Sequence, residues 1–226
     1  MKKSEYELIE NYMLECMQDS AHDREHVYRV LYGALDIAGY ESCADYDILT
    51  AACLLHDIGR AEQFADPRLC HAEAGSEKAY RFLVGIGWSE DRAKWAGDCV
   101  KTHRFRSDCP PESIEAKILF DADKLDVAGA TGIARTLFYK GQVGEPLYRL
   151  NSDGTVSDGT EDTEPSFFHE YKFKLENLYE KFFTDRGREL ALKRRKAAVD
   201  FYGSLLDEVR SGYEKGGELL KKSVLR

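Results

Sequence analysis

Apolar side chains recur every three or four residues along most of this chain, which is the spacing of one face of an α-helix. The spacing predicts helices at about residues 4–19, 23–38, 45–57, 72–86, 89–103, 112–126 and 131–140. A strict alternation of apolar and polar residues, the mark of a strand, persists nowhere for long. The pattern therefore predicts an all-α fold.

The helical pattern stops after residue 140 and resumes at Phe167. Residues 141–165 are rich in turn-forming residues, poor in large apolar ones, and include the repeated string Ser-Asp-Gly-Thr. We expect a long irregular loop here, more mobile than any other internal segment, and a lid is one role for it. Helices are predicted again from about 167 to 206, followed by a last helix at the C-terminus.

The length of 226 residues suits one large domain or two small ones and can bury a sizeable core. We expect a single helical domain over residues 1–226. Its core would lie at about 20–140, with the C-terminal helices of residues 166–226 packed on it.

Composition and charge limit the cellular compartment and the classes of binding partner that we expect. The net charge of −9 argues against general binding of nucleic acid or a membrane surface. No apolar run is long enough to span a bilayer, and the N-terminus lacks the apolar core of a signal peptide. The six cysteines form no Cys-x-x-Cys pair. These features predict a reduced, cytoplasmic protein.

Histidine and aspartate concentrate in three blocks, 22–30, 56–60 and 121–126, each on a predicted helix or at its end. His56 and Asp57 follow a small, apolar run that reads as a buried helix, where a charge is costly unless it is paired or metal-bound. Mixed imidazole and carboxylate ligands suit Mn, Fe, Co, Ni or Zn, and Mg is a further option. A metal held by two histidines and two aspartates leaves positions open for water and substrate.

The spaced blocks resemble the motif of the HD-domain superfamily of metal-dependent phosphohydrolases, His…His-Asp…Asp on an all-helical core. The match falls on His26, His56, Asp57 and Asp123. More narrowly, the chain resembles a bacterial branch with His-Asp-x-x-His-x-x-Arg-Val, here residues 22–30, and a related aspartate-rich string, here 121–135. The branch's Thr-x-x-Gly-x-x-x-Ala-x-x-Arg tail corresponds to residues 184–194. The resemblance implies that those four residues hold a divalent metal, as one ion or two.

Two further histidines, His71 and His103, have two interpretations. In related HD enzymes, histidines at similar places hold a second metal or donate a proton to the leaving group. The alternative is a pair of surface histidines at helix ends. Arg60 and Lys124 are candidates to hold a phosphate oxygen. Many relatives carry a Lys at the position of Arg60. No Glu lies near His56 in the sequence to act as general acid, so the residue that donates a proton to the leaving group is not identified.

Either aspartate of Asp121-Ala-Asp123 could be the metal ligand. On an ideal helix Asp123 and Asp126 share a small, apolar stripe, whereas Asp121 falls toward Lys117 and Lys124 and could pair with them. We therefore predict that Asp123 is the ligand and that Asp126 orients one of the others.

The resemblance implies a metal-dependent phosphohydrolase that cleaves a phosphoester of a nucleotide or small phosphorylated metabolite with a metal-activated water. One alternative is a regulatory protein on an HD scaffold that binds a nucleotide and turns it over slowly or not at all. Another is an iron-dependent HD oxygenase, which would need a di-iron site. The sequence determines neither the substrate nor the assembly, and a homodimer is among the options.

Overall fold

The computed structural model describes residues 1–17, 24–104 and 109–224. Over these ranges the chain forms α-helices and no strand, and an isolated antiparallel bridge joins Leu150 to Val156. The all-α prediction is confirmed. The helices are α1 (Lys3–Cys16), α2 (Arg24–Ala38), α3 (Tyr46–Leu55), α4 (Arg60–Ala65), α5 (His71–Gly85), α6 (Glu90–Thr102), α7 (Ile114–Asp126), α8 (Gly129–Gln142), α9 (Phe167–Glu170) and α10 (Asp185–Ser223).

Two compact units make up the chain. The first comprises Met1–Asp126 and Phe182–Gly187, and the second comprises Val127–Lys181 and Arg188–Arg226. The expectation of a single domain stays a prediction. No helix in the described ranges has the length and apolar character needed to cross a membrane.

Helix α3 lies at the centre of the first unit. It contacts α1, α2, α5, α6 and α7, and most of its side chains are buried. The carboxylate of Asp45 caps its N-terminus by accepting hydrogen bonds from the backbone N–H groups of Asp47 and Ile48. The apolar run before His56 is therefore the core of this unit, as its composition indicated.

The loop predicted near 141–165 is present, between the end of α8 and the start of α9. Part of it is packed, because Val156 and Ser157 are buried. The Ser157 amide donates to the Arg149 carbonyl, and the Ser157 hydroxyl donates to Asp162. Its mobility and its role as a lid stay predictions.

Three elements differ from the sequence-based expectation. The short helix α4 was missed, because six residues are too few to show a helical period. Residues 167–180, where regular helix was expected, form the short helix α9, a π-helical turn at Tyr171–Leu175 and a 3₁₀ turn at Leu178–Glu180. Helix α10 runs unbroken through residue 206, where two helices were expected.

Candidate metal centre

His56 and Asp57 directly follow α3, in a turn that brings them beside the start of α5. Gly59 makes this approach possible, because a Cβ at this position would lie 2.2 Å from the carbonyl oxygen of His71 and 2.5 Å from the amide nitrogen of Gly75. Gly59 directly precedes α4 and has a φ of −90°. Its small size therefore serves a close contact between backbones and not a left-handed turn.

Four histidines come together around Asp57, and all five side chains are buried. This excludes the surface interpretation of His71 and His103. In each ring Nδ1 lies beside an oxygen acceptor. Two acceptors are side-chain oxygens: Asp126 Oδ2 lies 2.7 Å from His26 Nδ1, and Gln63 Oε1 lies 2.7 Å from His71 Nδ1. The other two are backbone carbonyl oxygens: that of Cys53 lies 2.7 Å from His56 Nδ1, and that of Val100 lies 2.6 Å from His103 Nδ1. With Nδ1 donating, each Nε2 is left as an unprotonated nitrogen in the neutral ring.

The Nε2 atoms converge in two pairs. His26 Nε2 lies 3.3 Å from His56 Nε2 and 3.3 Å from Asp123 Oδ1. His71 Nε2 lies 3.3 Å from His103 Nε2. Two groups of side chains could thus each hold a metal ion, one made of His26, His56 and Asp123 and the other of Asp57, His71 and His103.

Asp57 stands between the two groups. Its Oδ2 lies 3.7 Å from His26 Nε2 and 3.6 Å from His56 Nε2. Its Oδ1 lies 3.4 Å from His71 Nε2 and 3.6 Å from His103 Nε2. One carboxylate oxygen therefore faces each group.

The donor set suits divalent metal ions. Both Asp57 oxygens are buried, and among the described residues neither accepts a hydrogen bond of standard geometry. A buried carboxylate without such partners is costly unless a cation compensates it. Unprotonated imidazole nitrogens that face one another at 3.3 Å also repel unless a cation or a proton lies between them.

The same geometry shifts the pKa values of the cluster. Burial lowers the pKa of His56 to about 4, and burial also lowers the pKa of His71 to about 4. Burial would lower the pKa of His26 as well, but hydrogen bonds with Asp123 and Asp126 outweigh it and raise the pKa to about 9. Burial would raise the pKa of Asp57, but His56 and the other neighbouring imidazoles, with Arg60, hold it well below its usual range. In the metal-free cluster at neutral pH, a proton on His26 partly balances the carboxylates.

Asp126 orients His26 and is itself held by an arginine. Arg29 donates from Nε to Asp126 Oδ1 at 2.7 Å and from its terminal nitrogen to Oδ2 at 3.1 Å. The buried Asp126 thus accepts from both His26 and a two-pronged guanidinium. This arrangement is the one predicted for Asp126, and the part of Arg29 in it was missed.

Asp121 points away from the histidines. Its buried carboxylate accepts hydrogen bonds from the backbone N–H groups of Phe183 and Thr184 and from the Thr184 hydroxyl. Thr184 in turn accepts from the Gly187 amide at the start of α10. A Cβ at Gly187 would lie 2.6 Å from Asp121 Oδ2. Asp121 thus contacts the Thr-x-x-Gly tail motif, and its pairing with Lys117 and Lys124 stays a prediction.

The predicted anion-binding residues lie in different surroundings. Arg60 Nε is 3.0 Å from Asp57 Oδ1, and the Arg60 side chain is 27% exposed. The Lys124 ammonium lies over the ring of Phe120, 5.1 Å from its centroid. Asp123 is 25% exposed, so the cluster meets solvent at Asp123 and Arg60.

Two residues beside His71 were missed by sequence reasoning. Gln63 of α4 accepts from His71 Nδ1, and a terminal nitrogen of Arg104 lies 3.3 Å from the same atom. Neither belongs to a periodic stripe that would have marked it. The first two residues of the His-Asp-x-x-His string, His22 and Asp23, and residues 105–106 after Arg104 lie outside the described ranges.

Comparisons with known proteins agree with this geometry. A family model for the HD domain matches residues 24–128. The uncharacterized protein YpgQ of Bacillus subtilis (strain 168) is 32% identical over 199 residues, which span 85% of this chain and 86% of YpgQ.

Solved structures share the fold over nearly the whole chain. The crystal structure of B. subtilis YpgQ in complex with ADP matches with a TM-score of 0.71 and 27% identity, covering 91% of this chain and 95% of that one. A predicted HD superfamily hydrolase from an uncultured Thermotogales bacterium matches with a TM-score of 0.61 and 30% identity, covering 88% of this chain and 90% of its own. The chain belongs to the HD-domain superfamily and has the fold of the HD superfamily hydrolases.

Proposed function

We propose that this protein is a metal-dependent phosphohydrolase that uses a metal-activated water. The observation that carries the proposal is the convergence of four imidazole Nε2 atoms on a buried carboxylate, Asp57, whose two oxygens face different groups. The two Asp57 oxygens are buried and accept no hydrogen bond of standard geometry among the described residues, and a bound cation would compensate their charge.

Two divalent ions fit this donor set. His26, His56 and Asp123 would hold one ion and His71 and His103 the other, with Asp57 between them. When bound, such ions lower the pKa of coordinated water and polarise a phosphoryl oxygen. Mn, Fe, Co, Ni, Mg and Zn all remain candidates for a site of imidazoles and carboxylates.

The protein's own side chains supply orientation and charge. The Nδ1 hydrogen bonds fix each ring with Nε2 toward the cluster, so His71 and His103 serve as ligands in this proposal and not as proton donors. Arg60, at the solvent-exposed edge beside Asp57, would hold a phosphate oxygen in this proposal, and Lys124 is a second candidate.

The proposed substrate is a nucleotide or another small phosphorylated metabolite. The complex of the related YpgQ with ADP supports a nucleotide. The same complex also supports the alternative, a regulatory protein that binds a nucleotide without turning it over. Hydrolysis of the bound nucleotide distinguishes the enzyme from the regulatory protein.

The test begins with elemental analysis of the purified protein, followed by phosphate-release assays over nucleotides and sugar phosphates with each candidate metal. The double variant His56→Ala/Asp57→Ala should lose metal and activity while keeping its helical content. His169→Ala is the matched control, since His169 stacks on Phe173 in the second unit. Undiminished metal content in the double variant would refute the assignment.

Binding of a nucleotide without release of phosphate, with metal present, would favour the regulatory alternative. A third candidate, an iron-dependent oxygenase, is supported by the presence of two ligand groups. It predicts bound iron and consumption of oxygen without phosphate release. The same elemental analysis and an oxygen electrode distinguish it.

A further inference from the structure

The side chain of Gln63 contacts both the His71 ring and a backbone carbonyl group. It lies on α4, outside both ligand groups, and its side-chain nitrogen donates to the carbonyl oxygen of Leu69 at 3.1 Å. A carbonyl oxygen only accepts, so this contact fixes which end of the amide is nitrogen. The amide oxygen of Gln63 must therefore be the atom that faces His71.

That orientation determines where His71 carries its proton. Gln63 Oε1 lies 2.7 Å from His71 Nδ1, and an amide oxygen can only accept, so Nδ1 holds the hydrogen. Nε2 is then unprotonated and lies 3.4 Å from Asp57 Oδ1. This is the form of the ring that can coordinate a metal from the side facing Asp57.

A competing donor lies beside the same nitrogen. A terminal nitrogen of Arg104 is 3.3 Å from His71 Nδ1. A guanidinium can only donate, so a hydrogen bond from Arg104 would require Nδ1 without its proton. The proton of the neutral ring would then sit on Nε2 and point into the cluster, where it would block coordination. The two neighbours of Nδ1 therefore favour opposite tautomers of His71.

We propose that Gln63 is a positioning residue for the second metal ion, because it selects the tautomer of His71 that can coordinate that ion. The proposal rests on the metal-dependent function proposed above. The other histidines do not need such a device, since backbone carbonyls orient His56 and His103 and a carboxylate orients His26. Among the four rings, only the orientation of His71 depends on a neutral side chain.

The experiment compares Mn²⁺ binding to the full-length protein and to Gln63→Leu. Calorimetric titration gives the number of ions and their affinities, and electron paramagnetic resonance tells an exchange-coupled pair from an isolated ion. The wild-type protein should bind two ions and give the signal of a coupled pair. Loss of a hydrogen-bonding partner behind a metal ligand typically weakens binding by about 10- to 100-fold. Gln63→Leu should show this loss for one ion only, with the signal of an isolated ion.

Two further variants separate positioning from general damage. Gln142→Leu makes the same change at an exposed position on α8, and it should bind both ions as the wild-type protein does. Gln63→Glu keeps an acceptor for His71 Nδ1 and gives it a charge, so it should restore the coupled pair with equal or higher affinity. If Gln63→Leu fails to fold, Gln63→Glu decides: retention of both ions supports the proposal, and loss of the second ion overturns it.

The remaining outcomes distinguish failure of the role proposed for Gln63 from failure of the metal-dependent function. If Gln63→Leu binds two ions with wild-type affinities, the role of Gln63 is wrong while the metal-dependent function stands. If the wild-type protein binds a single ion, the role of Gln63 is again wrong and a one-metal hydrolase remains. If the wild-type protein binds no divalent ion, both proposals fail.

Discussion

The rings of His56 and His103 are oriented by hydrogen bonds to backbone carbonyl groups at the C-terminal ends of helices. Each histidine directly follows the last residue of its helix, α3 or α6, and each donates from Nδ1 to the carbonyl oxygen three residues before it. The last carbonyl groups of a helix lack partners within the helix, so they are available as acceptors. A histidine at this position gains a fixed ring and satisfies one of those carbonyls.

Replacement of Asp123 and of Asp121 should have different consequences. Asp123→Asn removes a carboxylate from the first ligand group and should weaken Mn²⁺ binding far more than Asp121→Asn does. Asp121→Asn should instead destabilise the fold by about 2–4 kcal/mol, because its buried carboxylate accepts three hydrogen bonds. Calorimetric titration and urea unfolding measure the two effects. If Asp121→Asn loses more metal affinity than Asp123→Asn, then Asp121 is the ligand.

Asp126 should contribute to metal affinity without touching the metal. Asp126→Asn removes the charge that supports His26, so we expect about 10- to 100-fold weaker binding of Mn²⁺. The matched control is Asp36→Asn, which disrupts a similar two-pronged aspartate–arginine pair with Arg186 away from the cluster. Equal affinities for the two variants would show that Asp126 does not act through His26.

At the level of elements, the turn between α3 and α4 brings two parts of the cluster together. The turn carries His56 and Asp57, and α5 begins with His71. The two segments approach through their backbones at Gly59, where any side chain would collide with atoms that cannot move aside. The position of α5 against this turn thus depends on the absence of a single methyl group.

Gly59→Ala should therefore lower both stability and metal affinity. We expect a loss of about 3 kcal/mol, at the upper end for overpacking, because the contacts are with backbone atoms. Gly85→Ala is the control, since a Cβ there meets nothing within 4 Å and the residue lies at the end of the same helix α5. Chemical unfolding and Mn²⁺ titration of both variants provide the measurement. A Gly59→Ala protein as stable as Gly85→Ala would contradict the close approach.

At the scale of the whole molecule, the cluster links folding to pH. In the metal-free protein, the pKa of His26 is raised to about 9. His26 therefore adds to the free energy of unfolding at a pH below the unfolded-state pKa of about 6.5, and this stabilisation is lost as the pH rises toward 9. The pKa values of His56 and His71 are lowered to about 4, so their contribution is present above about 6.5 and is lost as pH falls toward 4.

The metal-free protein should consequently be most stable near pH 6.5, at the unfolded-state pKa of histidine, about 6.5. Urea unfolding of chelator-treated protein between about pH 4.5 and about pH 9 would locate the pH of maximal stability. Excess Mn²⁺ should stabilise the protein most at the alkaline end, because coordination requires neutral His26. A stability that rises steadily to pH 9 without metal would contradict these assignments.

Much of this structure was predictable from local pattern. Helical spacing located α1, α2, α3 and α5 to α8, because an amphipathic helix must place its apolar residues every three or four positions. The turn-rich composition of 141–165 indicated the irregular segment. The three His/Asp blocks indicated the candidate site and the superfamily, since their spacing reflects which helix ends meet in this fold.

Only the tertiary structure decided how those blocks are used. Nothing in the order of residues places Asp57 with one oxygen toward each of two ligand groups, or turns Asp121 toward Thr184 rather than the histidines. Gln63 gave no signal, because its helix is too short to be periodic and its partner depends on how α4 packs on α5. Helical period is a local property that the sequence by itself determines. Hydrogen bonds such as that of His26 to Asp126, 100 residues apart, arise only when distant helices pack.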